Sequence, residues 1–214
     1  MKVQIVVKTK EEAMFCFKND ADAVAVIVRP MHTCNDAMTA ELAREIIAAT
    51  PPFCCSTLLT HLEESKEIIE ILKITYATCI QLHSYIKEAE VRKIKEAFPY
   101  LKIIRLIHID VTGKPLNKLP KDFIGDAIFL DSINKKTDQF GGTGLVHNWK
   151  KSAQIVEESK VPVCIGGGLT PENVREAIRV VKPYCVDVNT GCKGSNGLRD
   201  YGKVVDFINN AKRV

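Results

Sequence analysis

Short apolar, β-branched runs alternate along this chain with longer stretches in which apolar residues recur every three or four positions. The first pattern predicts strands and the second amphipathic helices. Strand candidates are VQIVV at 3–7, AVAVIV at 23–28, FCCSTLLT at 53–60, ATCIQL at 77–82, KIIRLIHI at 102–109, AIFL at 127–130, VPVCI at 161–165 and CVDVN at 185–189. Between and after them fall the helical patterns KEEAMFCFKN, AMTAELAREIIAA, EESKEIIEILKI, IKEAEVRKIKEAF, NWKKSAQIVEES, PENVREAIRVV and YGKVVDFINNA. Strands apolar on both faces suit a parallel sheet covered by helices. Repeated strand–helix alternation predicts an α/β fold: a single (β/α)8 TIM barrel of eight parallel strands, with residues 1–214 as one domain. An open doubly wound sheet is the alternative, but it usually has about five or six strands, and no GxGxxG follows the first strand here. The fifth unit is the weakest, because IDVTGKPLNKLPKDFIG has little helical period. A second long loop, DSINKKTDQFGGTG, follows the sixth strand.

Composition narrows the class. The chain has 214 residues, 46% hydrophobic and 26% charged, enough to bury a core without covalent staples. Its net charge of +4 is carried by Lys and Arg interspersed with Asp and Glu, which reads as solvated helix faces rather than a nucleic-acid surface. No apolar run approaches the roughly 18 residues of a membrane span, and MKVQIVVKTKEEA lacks a secretory pattern. A cytoplasmic location is expected, with the eight cysteines reduced. Cys16, Cys54, Cys79, Cys164 and Cys185 fall inside apolar runs as small core residues. No CxxC or Cys/His cluster has zinc spacing, so no metal site is expected.

In such a barrel, reactive groups collect at the C-terminal strand ends. Reading the polar residue at each exit gives Lys8, Arg29, His61, His83, Arg105 or His108, Asp131, the Gly166–Gly168 run and Asn189. Together they describe a basic mouth with one prominent carboxylate, suited to an anionic ligand. IGGGLTPENV at 165–174 is the strongest local signal. Three glycines leave a strand, Thr170 is placed as N-cap, Pro171 at the first helical position and Asn173 in the first turn. Glycine lets backbone N–H groups approach phosphate oxygens. VDVNTGCKGSNGLRD at 186–200 supplies a second glycine loop after the last strand. Barrel phosphate sites are commonly built from the loops after strands seven and eight. Gly167, Gly168, Asn189, Thr190 and Gly191 are therefore the expected phosphate ligands. A third cluster, GGTG at 141–144, reads either as a hinge or turn or as a ligand contact through Gly142.

QLHS at 81–84, FLDS at 129–132, GGTGLVHNW, GGGLTPENV, VDVNTG and GLRD, in this order and spacing, resemble the phosphoribosylanthranilate isomerase family of tryptophan biosynthesis. The likeness runs from about Asp22 to the C-terminus. It implies an intramolecular oxidoreductase of the aldose–ketose type, rearranging N-(5-phosphoribosyl)anthranilate to its 1-deoxyribulose 5-phosphate isomer with no metal or cofactor. It also implies a phosphorylated small-molecule substrate, no nucleic-acid or membrane partner, and a monomer or homodimer. Asp131 matches the family's general acid, and His83 a residue lining the substrate, joined there by Arg29 and Gly142. Two family features have no match. Gln4-Ile5-Val6-Val7 stands where the family has K-[IV]-C-G, so Val6 replaces the base cysteine. The strand-two loop RPMHTCNDAM also lacks the Arg that holds the anthranilate carboxylate. Cys34, His32 and Lys8 are the candidate substitute bases. Three readings follow: an isomerase with a substituted base, an isomerase for another sugar phosphate, or a non-catalytic phospho-ligand binder.

Overall fold

A computed structural model describes residues 1–31, 33–110, 112–117, 119, 122–134, 139–140 and 148–213. The eight expected strands are present: β1 (Lys2–Val6), β2 (Ala23–Val28), β3 (Cys55–Thr60), β4 (Cys79–Leu82), β5 (Lys102–Ile109), β6 (Ala127–Asn134), β7 (Val163–Ile165) and β8 (Cys185–Val188). Each pairs in parallel with the next, and β8 returns to β1 through Gln4 opposite Asp187, so the sheet closes into an eight-stranded barrel. The outer ring is α1 (Lys10–Lys18), α2 (Ala40–Ala48), α3 (Ser65–Thr75), α4 (Glu88–Ala97), α5 (Trp149–Glu158), α6 (Val174–Val181) and α7 (Tyr201–Lys212). Between β5 and β6 no helix forms among the described residues; an antiparallel bridge pairs Ile109 with Pro115 instead.

Alternation along each strand sorts the side chains into two layers. Outward residues such as Val3, Ile5, Val24, Val26, Leu58, Ile80, Ile103, Leu130, Ile165 and Val186 join the helices in one large core. Inward residues form two smaller apolar groups, Val6, Ala25, Ile27 and Leu59 on one side and Leu106, Phe129, Cys164 and Cys185 on the other. A polar chain runs between them. Thr57 Oγ1 donates to Gln4 Oε1 at 3.0 Å, and Gln4 Nε2 donates to Gln81 Oε1 at 3.2 Å and to Asp187 Oδ1 at 3.0 Å. Because these groups satisfy one another, the barrel can hold polar residues at its centre without stranding a donor.

Three local departures have physical causes. Ala37–Met38, read as helical, pairs with Ile27–Val28 as a two-residue strand, and α2 starts only after Thr39, whose Oγ1 accepts from Leu42 N at 3.3 Å. The helix expected from Pro171 begins at Val174, because Asn173 Oδ1 accepts from Thr170 N and Asn173 Nδ2 donates to the Gly168 carbonyl, folding 170–173 into a turn. Thr170 contributes its carbonyl, to Val174 N, rather than a side-chain cap. Arg105, placed among the mouth residues, faces outward. Its guanidinium holds Glu88 at 2.6 Å and the carbonyls of Ile86 and Ile124 at 3.1 Å each, pinning the strand-six approach to α4.

Candidate active site

Strand register brings Asp131 beside His108, and β7 lies between β6 and β8, which carries Asp187. Both carboxylates border the backbone that leaves β7. A Cβ placed on Gly167 would stand 2.7 Å from Asp131 Oδ1 and 2.3 Å from Ser132 Oγ, and one on Gly166 would stand 3.5 Å from Asp187 Oδ2. Gly167 and Gly168 have φ of +76° and +69°, the left-handed region where glycine is unstrained. The glycines therefore let the chain pass the acids at close range.

The two glycine loops meet. A Cβ on Gly191 would lie 1.9 Å from the carbonyl oxygen of Leu169, so the loop after β8 rests directly on the loop after β7. This is the juxtaposition that a shared anion pocket needs. Thr190 is exposed and Gly191 half-buried beside it. Asn189 departs from expectation, since its side chain is engaged within the chain. Its Nδ2 donates to Asp36 Oδ2 at 2.9 Å, and its Oδ1 accepts from Arg199 at 3.1 Å.

Electrostatics distinguishes the carboxylates. Burial pushes the Asp131 carboxyl up to about 7, with the Asp187 charge adding to the rise, against one backbone N–H from Ser132 at 2.8 Å that favours the anion. Burial also raises Asp187 to about 7, but the Gln4 amide and the Arg199 guanidinium both favour its ionised form. Asp36 ends below the usual carboxylate range: burial opposes ionisation, yet hydrogen bonds from Lys193 (2.6 and 2.7 Å) and Asn189 outweigh it. His83 is held well below its ordinary value by burial and by the neighbouring His61 and His108, and burial lowers His108 to about 4.

The basic mouth is thus built differently from expectation. His83 and His108 are neutral, and Arg105 points out of the barrel. Arg29 is exposed, with φ +54°, and lines a surface recess with Pro30, Met38, Thr39, Ile71 and Ile74 on the α2–α3 side. Positive charge comes instead from Lys193 and Arg199. Arg199 is almost wholly buried and donates to the Val6 carbonyl at 2.5 Å and the Asn189 carbonyl at 2.7 Å, tying β1 to β8. His83 sits deep, its ring 5.3 Å from that of Phe129 and its Nε2 against the Gln81 amide.

Among the base candidates, Lys8 lies at the exposed exit of β1, and Cys34 packs over the Val6, Ala25, Ile27 and Leu59 group. His32 and Gly142 lie outside the described residues. Asp187, Gln4, Asp36 and Arg199 do not stand out in the sequence as site residues. The available signal was parity: Gln4 and Asp187 are the polar interruptions of VQIVV and CVDVN, each two positions from an inward apolar residue.

A closed parallel barrel with two raised carboxylates at its strand ends, and two glycine loops meeting beside them, defines a barrel enzyme of the acid–base kind. A family model described as N-(5'phosphoribosyl)anthranilate (PRA) isomerase matches residues 3–210. The chain belongs to this family, and so to the isomerases of tryptophan biosynthesis. It is 39% identical over 206 residues to N-(5'-phosphoribosyl)anthranilate isomerase 2 of Methanosarcina mazei, covering 96% of this chain and 91% of that protein. The phosphoribosyl anthranilate isomerase of Thermotoga maritima superposes with a TM-score of 0.82 at 27% identity, covering both chains fully. A second solved isomerase, in complex with reduced 1-(o-carboxyphenylamino)-1-deoxyribulose 5-phosphate, gives 0.77 at 26% identity, again with full coverage.

Proposed function

We propose that the protein rearranges N-(5'-phosphoribosyl)anthranilate to the 1-deoxyribulose 5-phosphate isomer, with Asp131 as general acid. The observation that carries this reading is the raised Asp131 carboxyl at the end of β6, in the stretch FLDS that matches the family's acid. A carboxyl that titrates near 7 keeps about half of its population protonated at pH 7, where an ordinary aspartate is ionised. It can therefore protonate the furanose oxygen and open the ring. Backbone amides around Gly167, Gly168, Thr190 and Gly191 take the phosphate. The close contact of Gly191 with Leu169 supports one shared pocket. Asn189 acts indirectly, by fixing the β8 loop to Asp36 and Arg199. His83 lines the substrate side in this reading, and the enzyme works in the cytoplasm as a monomer or homodimer. Among the described residues no helix is long and apolar enough to cross a membrane.

A second reading, isomerisation of another sugar phosphate, is favoured by two observations: Val6 stands at the family's cysteine position within an apolar group, and Arg29 lies away from the mouth. One assay separates the two. Purified wild type and a Val6→Cys variant are given freshly formed phosphoribosylanthranilate. Turnover by the wild type, with a loss of about 10²–10⁴ in kcat in Asp131→Asn, supports the first reading. Turnover by Val6→Cys alone rejects it.

A further inference from the structure

The reaction needs a proton acceptor for C2 as well as an acid, and valine at position 6 cannot be one. The chain holds a second carboxylate, Asp187, that borders the same glycine backbone as Asp131. We infer that Asp187 is the base, acting opposite Asp131 across the backbone that leaves β7, an assignment that rests on the isomerase reading above.

Geometry carries it. Asp187 shares the inward face of β8 with Cys185, keeps some exposed surface, and lies against Gly166 while Asp131 lies against Gly167. The groups facing it are Gln4 from β1, Asp131 from β6 and Arg199 from the loop after β8, with the thiols of Cys185 and Cys192 also in its field. Gln4 and Arg199 stabilise its anion, whereas among the described residues it is the Ser132 amide that favours ionisation of Asp131. Two like-charged neighbours do not readily ionise together, so one proton resides on Asp131 and Asp187 stays the carboxylate. Gln4 has a further consequence. The resemblance places a lysine at this position in the family. A full positive charge there would lower the Asp187 carboxyl, whereas the neutral amide leaves it basic.

The steps balance. Asp131 gives its proton to the ring oxygen, the C1–O bond breaks, and the nitrogen lone pair forms a C=N bond to C1. The Asp187 carboxylate then takes the C2 proton. The C–H pair becomes the C1=C2 bond, and the C=N pair returns to nitrogen. Ketonisation moves the enol O–H proton to C1 with no net change. Transfer of one proton from Asp187 back to Asp131 restores the enzyme.

The test is Asp187→Asn in the full chain, with Cys34→Ser as the rival base. Circular dichroism and binding of the reduced product analogue show that each variant is folded with its site intact. Asp187→Asn should lose at least a hundredfold in kcat while binding the analogue within about threefold of wild type. The pH profile adds a readout that a structural role would not move. Wild-type kcat/KM falls on the acid side as Asp187 takes up a proton. In the variant that limb disappears, and the basic limb set by Asp131 moves to lower pH, because the neighbouring negative charge is gone. Turnover within threefold of wild type in Asp187→Asn overturns the assignment, as does an unchanged profile. A hundredfold loss in Cys34→Ser with Asp187→Asn still active gives the role to the thiol. If the wild-type chain turns over no substrate, the isomerase reading fails, and the Asp187 role falls with it.

Discussion

Single side chains at the mouth are constrained by contact rather than by propensity. Gly191 is the sharpest case, because a methyl group there would occupy the space of the Leu169 carbonyl oxygen, 1.9 Å away. Backbone cannot yield as a flexible side chain does. Gly191→Ala should lose roughly 1–3 kcal/mol of stability. It should also weaken competition by inorganic phosphate at least tenfold, since the two loops are forced apart. Denaturant unfolding and inhibition by phosphate check the two effects. At Asp131 the sign of the pH effect follows from its raised carboxyl. The acid form is needed, so kcat should fall as pH rises through about 7.

At the scale of elements, the barrel depends on a few buried polar ties where helical packing is thin. The β5–β6 connection has no helix among the described residues, and the Arg105–Glu88 pair takes over part of its role. Glu88 holds the guanidinium with one oxygen and the Ile124 amide with the other at 3.0 Å. Removing one partner strands a charge that is only 7% exposed. Glu88→Ala should therefore destabilise by about 3–5 kcal/mol, measured by chemical denaturation, whereas breaking an exposed pair such as Arg92–Asp122 should change stability by less than about 1 kcal/mol. At the mouth, Asp36 links the β2 loop to the β8 loop through Lys193 and Asn189, so a charge pair braces the rim there.

For the whole molecule, the active site opposes the fold. The unfolded carboxyl of an aspartate titrates near 3.9. In the folded barrel Asp131 titrates near 7, so between these values the native state binds more protons than the unfolded one. Its contribution to stability is full below about pH 4 and is lost as pH rises through about 7, roughly 3–4 kcal/mol in all. Asp131→Asn should consequently be more stable than wild type at pH 8 and nearly equal to it at pH 4, as read from urea midpoints at both values. With Asp131 as the proposed acid, the same substitution should also remove activity, so the stability cost falls on the group proposed to do the chemistry.

The linear sequence determined the barrel, because apolar runs on both strand faces and helical periods between them record burial that repeats along the chain. It also placed Asp131 and the two glycine loops, since these are contiguous motifs at strand ends. It did not reveal that Gln4, Thr57, Gln81 and Asp187 form one chain of hydrogen bonds. Those residues lie on four strands and meet only when the sheet closes, Gln4 and Asp187 being 183 positions apart. Nor could it separate Arg29, Arg105 and Arg199, three similar side chains at loop or strand ends. Which of them faces solvent, the helix layer or the mouth depends on strand parity, on a left-handed turn and on which loop lies opposite. Charge and parity at a barrel mouth are properties of packing, and only the closed structure fixes them.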